Sequence, residues 1–154
     1  AIIPYLMRKG ELTTADDVDK FLNKRSGMLG VTEITSDNQE IGNLAAEGNE
    51  RCKLVVEMYK HQIAKYVGSY ITCMGGTDAI VFTGGIGENA GEYRTAVCEK
   101  LAFMGVKIDE AKNKIRGEEI EISTPDSTIK VYVIPTNEEL MIARDTLEIV
   151  NGLK

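Results

Sequence analysis

The sequence predicts an α/β fold with a mixed sheet and a helical N-terminal segment, and three observations carry that prediction. Residues 79–82 form a short apolar run that leads straight into a glycine-rich turn, the pattern of a strand covered on both faces. Residues 49–74 repeat apolar side chains at steps of three and four, the pattern of a long amphipathic helix. Two further β-branched runs, residues 119–122 and 129–134, are separated only by Ser123-Thr-Pro-Asp-Ser-Thr128. A connection that short makes an antiparallel hairpin.

Taken in order, residues 2–7 read as the end of a helix or a buried segment, broken at Gly10. Thr13 or Thr14 then caps a helix over residues 15–24, with Val18, Phe21 and Leu22 on its apolar side. Gly27 and Gly30 mark a turn, residues 31–39 an irregular connection, and residues 40–47 a polar helix ending near Gly48. In the long helix, Cys52, Val55, Val56, Tyr59, Ile63, Tyr66, Val67, Tyr70 and Met74 form one stripe, read as core. Gly75-Gly76 ends it. After the strand at residues 79–82 come a helix over residues 90–104, a strand at 106–108 and a short helix near 111–115. The hairpin and a last helix over residues 138–150 follow. The domain reading is a helical or irregular segment over residues 1–48 and an α/β core over 49–154.

The first chemically informative stretch is Asp78-Ala-Ile-Val-Phe-Thr-Gly-Gly-Ile-Gly-Glu-Asn89. A glycine turn between a strand and a helix lets a ligand approach backbone N–H groups at the helix start. Gly84, Gly85 and Gly87 lack the Cβ atoms that block unusual dihedrals and close approach, and Asn89 is suited to cap a helix starting at Ala90. Gly85-x-Gly87-x-x-Ala90 also satisfies the dinucleotide fingerprint, with Asp109 placed as its ribose carboxylate. Glu88 argues against that reading, because a carboxylate in the loop repels a pyrophosphate. The hairpin argues against it too, since a dinucleotide fold is built from repeated helical crossovers. No G-x-x-x-x-G-K-[ST] occurs, so a P-loop is excluded.

The second stretch is Val131-Tyr-Val-Ile-Pro-Thr-Asn-Glu-Glu-Leu140. A strand ends at Pro135, and Thr136 or Asn137 caps a helix that opens with Glu138 and Glu139. Acidic residues in a first turn complement the helix dipole. The same carboxylates suit a hard cation, since Mg²⁺ is held by one or two of them together with phosphate oxygens.

Composition narrows the function classes. The 154 residues have room for a real core, and 43% hydrophobic with 27% charged residues is a globular balance. A net charge of −6 argues against a nucleic-acid backbone binder. Cys52, Cys73 and Cys98 are widely spaced without a C-x-x-C and read as reduced thiols, mostly packed. His61, the sole histidine, falls mid-helix at an expected partly exposed position, so a histidine-based triad is hard to build. No membrane span or signal peptide is visible, and the expected location is cytoplasmic.

Phe82-Thr-Gly-Gly-Ile-Gly-Glu-Asn89, Ile120-Glu-Ile-Ser-Thr-Pro-Asp126 and Ile134-Pro-Thr-Asn-Glu-Glu-Leu140 together resemble the C-terminal part of the acetate kinase family. Ala1-Ile-Ile-Pro-Tyr-Leu-Met7 and Ala46-Glu-Gly-Asn-Glu-Arg51 extend the resemblance over essentially the whole chain. It implies an actin-like ATPase, RNase H-like domain of the acetate and sugar kinase, Hsp70 and actin class, with ATP/ADP and Mg²⁺ as ligands. Within it, Gly85, Ile86, Gly87, Glu88 and Asn89 match the adenosine-binding loop. Glu138 matches the Mg²⁺ ligand position. Asp37, Asn38 and Gln39 match a second nucleotide-contacting segment, D-x-R, with Gln39 in place of the arginine. That change removes a planar cation able to stack on adenine or grip phosphate.

The implied activity is reversible phosphoryl transfer from ATP to acetate, giving acetyl phosphate and ADP. The sequence begins at Ala1 without a Met, inside an apolar segment, and is expected to lack the family's N-terminal half. The acetate-binding and transition-state residues belong there, so no catalytic residue is assigned in this chain. On its own it is expected to be inactive. The full-length protein is expected to be a homodimer acting on acetate or another short carboxylate, with neither nucleic acid nor membrane as partner. Propionate kinase, an NAD-type oxidoreductase domain and a non-catalytic nucleotide-binding module are the alternatives.

Overall fold

The computed structural model of the chain describes residues 2–153, which fall into two compact units dividing between His61 and Gln62. The first unit is helical. Helix α1 (Ile2–Arg8) has no buried residue, with Ile2, Tyr5 and Met7 exposed. Helix α2 (Ala15–Lys24) has the expected bounds, and the capping choice resolves to Thr14. The Thr14 hydroxyl accepts from the Asp17 N–H at 3.1 Å, while the Asp17 carboxylate accepts from the Thr14 N–H at 2.9 Å. These reciprocal bonds satisfy two N–H groups that the helix itself leaves unpaired.

Residues 27–32, expected as a turn and loop, form a helix, α3 (Gly27–Thr32). Its end is held by Thr32, whose buried hydroxyl donates to Thr35 O at 2.7 Å and accepts from the Ile34 and Thr35 N–H groups. Helix α4 (Asn38–Ala46) starts two residues before the expected position because Asp37 caps it, its carboxylate accepting from the Glu40 N–H at 2.9 Å. The core of this unit is Ile41, Cys52 and Val55, packed by Met28, Val31, Leu44, Ala45 and Val56.

The long helix, α5 (Glu50–Met74), has 25 residues, as the periodicity predicted apart from one residue at its start. Its expected stripe is only partly core. Cys52 and Val55 are buried, but Tyr66, Tyr70 and Met74 are 57%, 62% and 65% exposed. Ala64 and Ile71 are buried in their place. Periodicity locates an apolar stripe but not which edge of it meets the neighbouring layer.

The second unit holds a mixed three-stranded sheet in the order β1 (Ala79–Phe82), β3 (Lys130–Val133), β2 (Ile120–Glu121). Strands β1 and β3 are parallel, with Ile80 opposite Val131 and Phe82 opposite Val133; β2 and β3 form the expected antiparallel hairpin. Residues 106–108 are not a strand. Val106 and Ile108 make single bridges, parallel to Ile129 and antiparallel to Ser123, so no continuous ladder forms. The helix expected over residues 90–104 becomes α7 (Gly91–Lys100) plus a 3₁₀ turn at Ala102–Met104, closed by Gly105 at φ 86°. The expected helix near 111–115 is likewise a single 3₁₀ turn, Lys112–Lys114. The core collects Ile80, Val97, Cys98, Leu101, Val106, Ile122, Ile129, Val131 and Val133 against Ala64.

Candidate nucleotide and metal site

The parallel pairing of β1 with β3 brings the carboxyl ends of two strands side by side. The last ladder bond runs from Ile134 N–H to Phe82 O at 3.0 Å. In open α/β sheets, ligands bind just beyond such strand ends. Both chemically informative stretches therefore leave the sheet at the same place.

After β1, residues 84–89 form a short helix, α6 (Gly84–Asn89), where an open turn was expected. Thr83 is extended, and Gly84 turns the chain at φ 71°, a conformation that costs glycine nothing and other residues a Cβ clash. Gly87 is helical; a Cβ on it would lie 3.2 Å from Phe82 C, so close backbone approach is its reason. Gly85 is exposed, with open space where its Cβ would be. Asn89 is not the cap of the following helix. Its side-chain amide donates back to Gly85 O at 3.0 Å, and Ala90 links α6 to α7.

The Glu88 carboxylate folds over the start of α6. One oxygen, Oε1, accepts from the Gly84 N–H and the Thr136 N–H, both at 2.8 Å. Beside it the Thr83 and Thr136 hydroxyls are 2.6 Å apart. The helix-start amide expected to face a ligand anion is thus already paired at Gly84.

After β3, Asn137 rather than Thr136 caps the last helix, α8 (Glu138–Gly152), its side chain accepting from the Leu140 N–H at 3.0 Å. Glu138 and Glu139 occupy the first turn and are exposed. Among the described residues no three His, Cys, Asp or Glu side chains converge into a metal cage. One or two exposed carboxylates suit Mg²⁺, whose remaining positions are filled by water and phosphate oxygens, and do not suit a tetrahedral structural zinc.

Underneath, a buried cation holds the loop. Arg94, on α7, is fully buried, and the acceptors of its hydrogen bonds are carbonyl and amide oxygens. Its guanidinium donates to Asn113 Oδ1 at 2.7 Å, Gly87 O at 2.7 Å, Asn113 O at 2.6 Å and Ile115 O at 3.0 Å. Burial lowers its pKa from the ordinary arginine value. Asn113 completes the knot by donating to Gly91 O and Thr95 Oγ1. Neither residue was singled out in the sequence; the only signal is a charge placed between apolar positions of α7.

Asp109 does not reach toward the loop as a ribose reader. Its carboxylate caps the turn that follows, accepting from the Ala111 and Lys112 N–H groups at 2.9 and 3.2 Å. Asp37 is the cap of α4, Asn38 begins that helix and Gln39 is exposed on it. These three lie in the helical unit, and Gly85–Asn89 with Glu138 lie in the sheet-bearing one. Cys52 and Cys98 are buried and Cys73 is exposed. Burial pushes the Cys98 thiol up to about 12, which keeps it from acting as a nucleophile near neutrality. His61 is exposed, and no described helix is long and apolar enough to cross a membrane.

Among the solved structures similar to this chain are two kinases. The acetate kinase of Porphyromonas gingivalis is 45% identical with a TM-score of 0.87, matching 97% of this chain and 37% of that one. A propionate kinase of Francisella tularensis is 41% identical with a TM-score of 0.81, matching 92% of this chain and 36% of that one. The mixed sheet with paired strand-to-helix junctions is accordingly a domain of the actin-like ATPase class.

Among proteins of known sequence, the acetate kinase of Halothermothrix orenii is 52% identical over 152 residues, 99% of this chain. The sequence model of the Acetokinase family matches residues 1–144, and the chain belongs to that family. It spans 38% of the length of the Halothermothrix relative.

Proposed function

We propose that this chain is the nucleotide- and Mg²⁺-binding part of an acetate kinase, a cytoplasmic homodimer when full-length. The whole protein reversibly transfers the γ-phosphoryl group of ATP to acetate, giving acetyl phosphate and ADP. One observation carries the reading: the loop bearing Gly85–Asn89 and the junction bearing Glu138 leave adjacent parallel strands and are tied together at Thr83 and Thr136. Family membership supplies the reaction, and this adjacency supplies a place for adenosine and metal-bound phosphates to meet.

In this proposal the open space at Gly85 admits the adenosine, and Asn89 and Arg94 hold the loop's Gly85 and Gly87 carbonyls. Glu138 orients the cation, directly or through water, while Asn137 holds the start of α8 in place. Mg²⁺ would neutralise charge on the phosphate oxygens as the phosphoryl group moves. Asp37, Asn38 and Gln39 form a second nucleotide contact, without an arginine's planar grip.

In the full-length protein, Glu138→Ala is expected to lower kcat on the order of 10²-fold, a few kcal/mol of transition-state stabilisation, and to raise the Mg²⁺ requirement. A mere helix-start charge would cost about 0.3–1 kcal/mol of stability and leave kinetics intact. Measuring kcat across a Mg²⁺ titration beside a thermal melt decides between them. The likeness to a propionate kinase keeps propionate as the second acceptor, so kcat/KM for both acids belongs in the same experiment.

A further inference from the structure

We propose that Glu88 is a positioning residue that locks the nucleotide loop to the metal-bearing junction, acting through the backbone and not by touching nucleotide or metal. The proposal rests on the functional reading above and deepens it. The sheet ends at the bond from Ile134 N–H to Phe82 O, and beyond that point the two chains would be free to separate. Two side-chain devices continue the connection. One is the 2.6 Å contact between the Thr83 and Thr136 hydroxyls. The other is Glu88 Oε1, which gathers the Gly84 and Thr136 N–H groups at 2.8 Å each.

A single oxygen accepting two amides from segments far apart in sequence is a staple. Gly84 opens the loop that contains Gly85–Asn89, and Thr136 stands two residues before Glu138. With both amides on one atom, the loop and the start of α8 hold a fixed spacing. Charge-assisted bonds from backbone N–H groups to a carboxylate are about twice as strong as neutral ones. Glu88 is half-buried, which limits competition from water. Its place inside the glycine loop, which counts against a phosphate contact at Gly84, is then explained. The carboxylate occupies that amide in order to bind the other strand's exit.

The test separates reach from charge. Glu88→Gln keeps the length and an accepting oxygen but loses the charge. Glu88→Asp keeps the charge but withdraws it by roughly 1.5 Å, one C–C bond. In the full-length protein we would measure kcat, KM for ATP and the half-saturating Mg²⁺ concentration. Amide exchange at Gly84 and Thr136 would be followed by NMR without any ligand.

The expected result is that Gln, a neutral and weaker acceptor, exchanges both amides faster than wild type and lowers kcat by less than about tenfold. Asp is expected to lose on the order of 10²-fold in kcat, need more Mg²⁺ and exchange both amides faster, since a misplacement of about 1 Å has that effect on rate. A role in contacting metal or substrate predicts the reverse order. Asp more active than Gln, or unchanged exchange in Asp, overturns the proposal. If Asp fails to fold, Gln decides alone: faster exchange at both Gly84 and Thr136 upholds the staple, and exchange as slow as in wild type overturns it. A wild-type protein that makes no acetyl phosphate would defeat the functional reading, while the exchange data would still test the staple.

Discussion

Arg94 illustrates what a single residue does in this molecule. Burying a guanidinium is costly, and here carbonyl and amide oxygens offset that cost by accepting four hydrogen bonds. Arg94→Met keeps much of the bulk but leaves Gly87 O, Asn113 O and Ile115 O without their donor. We expect it to destabilise the protein by about 3 kcal/mol, seen as a lower urea midpoint. Lysine should not restore it, because its point-like ammonium lacks the planar fork that reaches acceptors on both sides. Gly87 is the complementary case: a Cβ there would lie 3.2 Å from Phe82 C, tight against the backbone that ends β1. Chain order alone did not reveal Arg94, since its partners lie 7 to 21 residues away.

Among the elements, the best-read ones carry their signals locally. Helix α2 has its cap, its acidic first turn and its Lys24 terminus within its own residues. Thr14→Ala is expected to cost about 1 kcal/mol, measured by chemical denaturation. Asp17 adds a pH signature. Hydrogen bonds from the Thr13 and Thr14 side chains, then their backbone N–H groups, lower its pKa to about 2 from 3.8. A depressed carboxylate stabilises above its unfolded pKa, and that stabilisation is lost as pH falls through the folded one. The Asp17→Asn difference should therefore be full at neutral pH and shrink between about 4 and 2, followed by chemical denaturation across that range. Elements that depend on distant partners were misread. Residues 106–108 have a strand's composition but only isolated bridges, and α3 carries glycines that suggested a turn.

At the scale of the whole molecule, both strand-to-helix junctions were legible as such, and so was their order. The family resemblance was carried by several short motifs in correct sequence, and membership over residues 1–144 agrees with it. The fold class was legible too, because hairpin, buried strand and long helix each leave a periodic trace. In the proposed scheme the acetate-binding residues lie outside this sequence. The purified 154-residue chain is accordingly expected to yield no acetyl phosphate above background. A coupled hydroxamate assay on the folded chain, with ATP titrated by calorimetry, checks this; clear product would refute it.

By itself, the sequence determined the α/β class, the position of the glycine loop, the caps of α2 and α8 to within a residue, and the stretch holding Glu138. These depend on periodicity, turn chemistry and residues at most four apart. Tertiary structure alone decided that the loop is helical, that Asp109 caps a turn and that Arg94 is buried under Gly87. It also decided that Glu88 closes on Thr136, 48 residues away. The physical reason is the parallel pairing of β1 with β3: a ladder between distant segments leaves no local mark, and every contact at the strand ends follows from it.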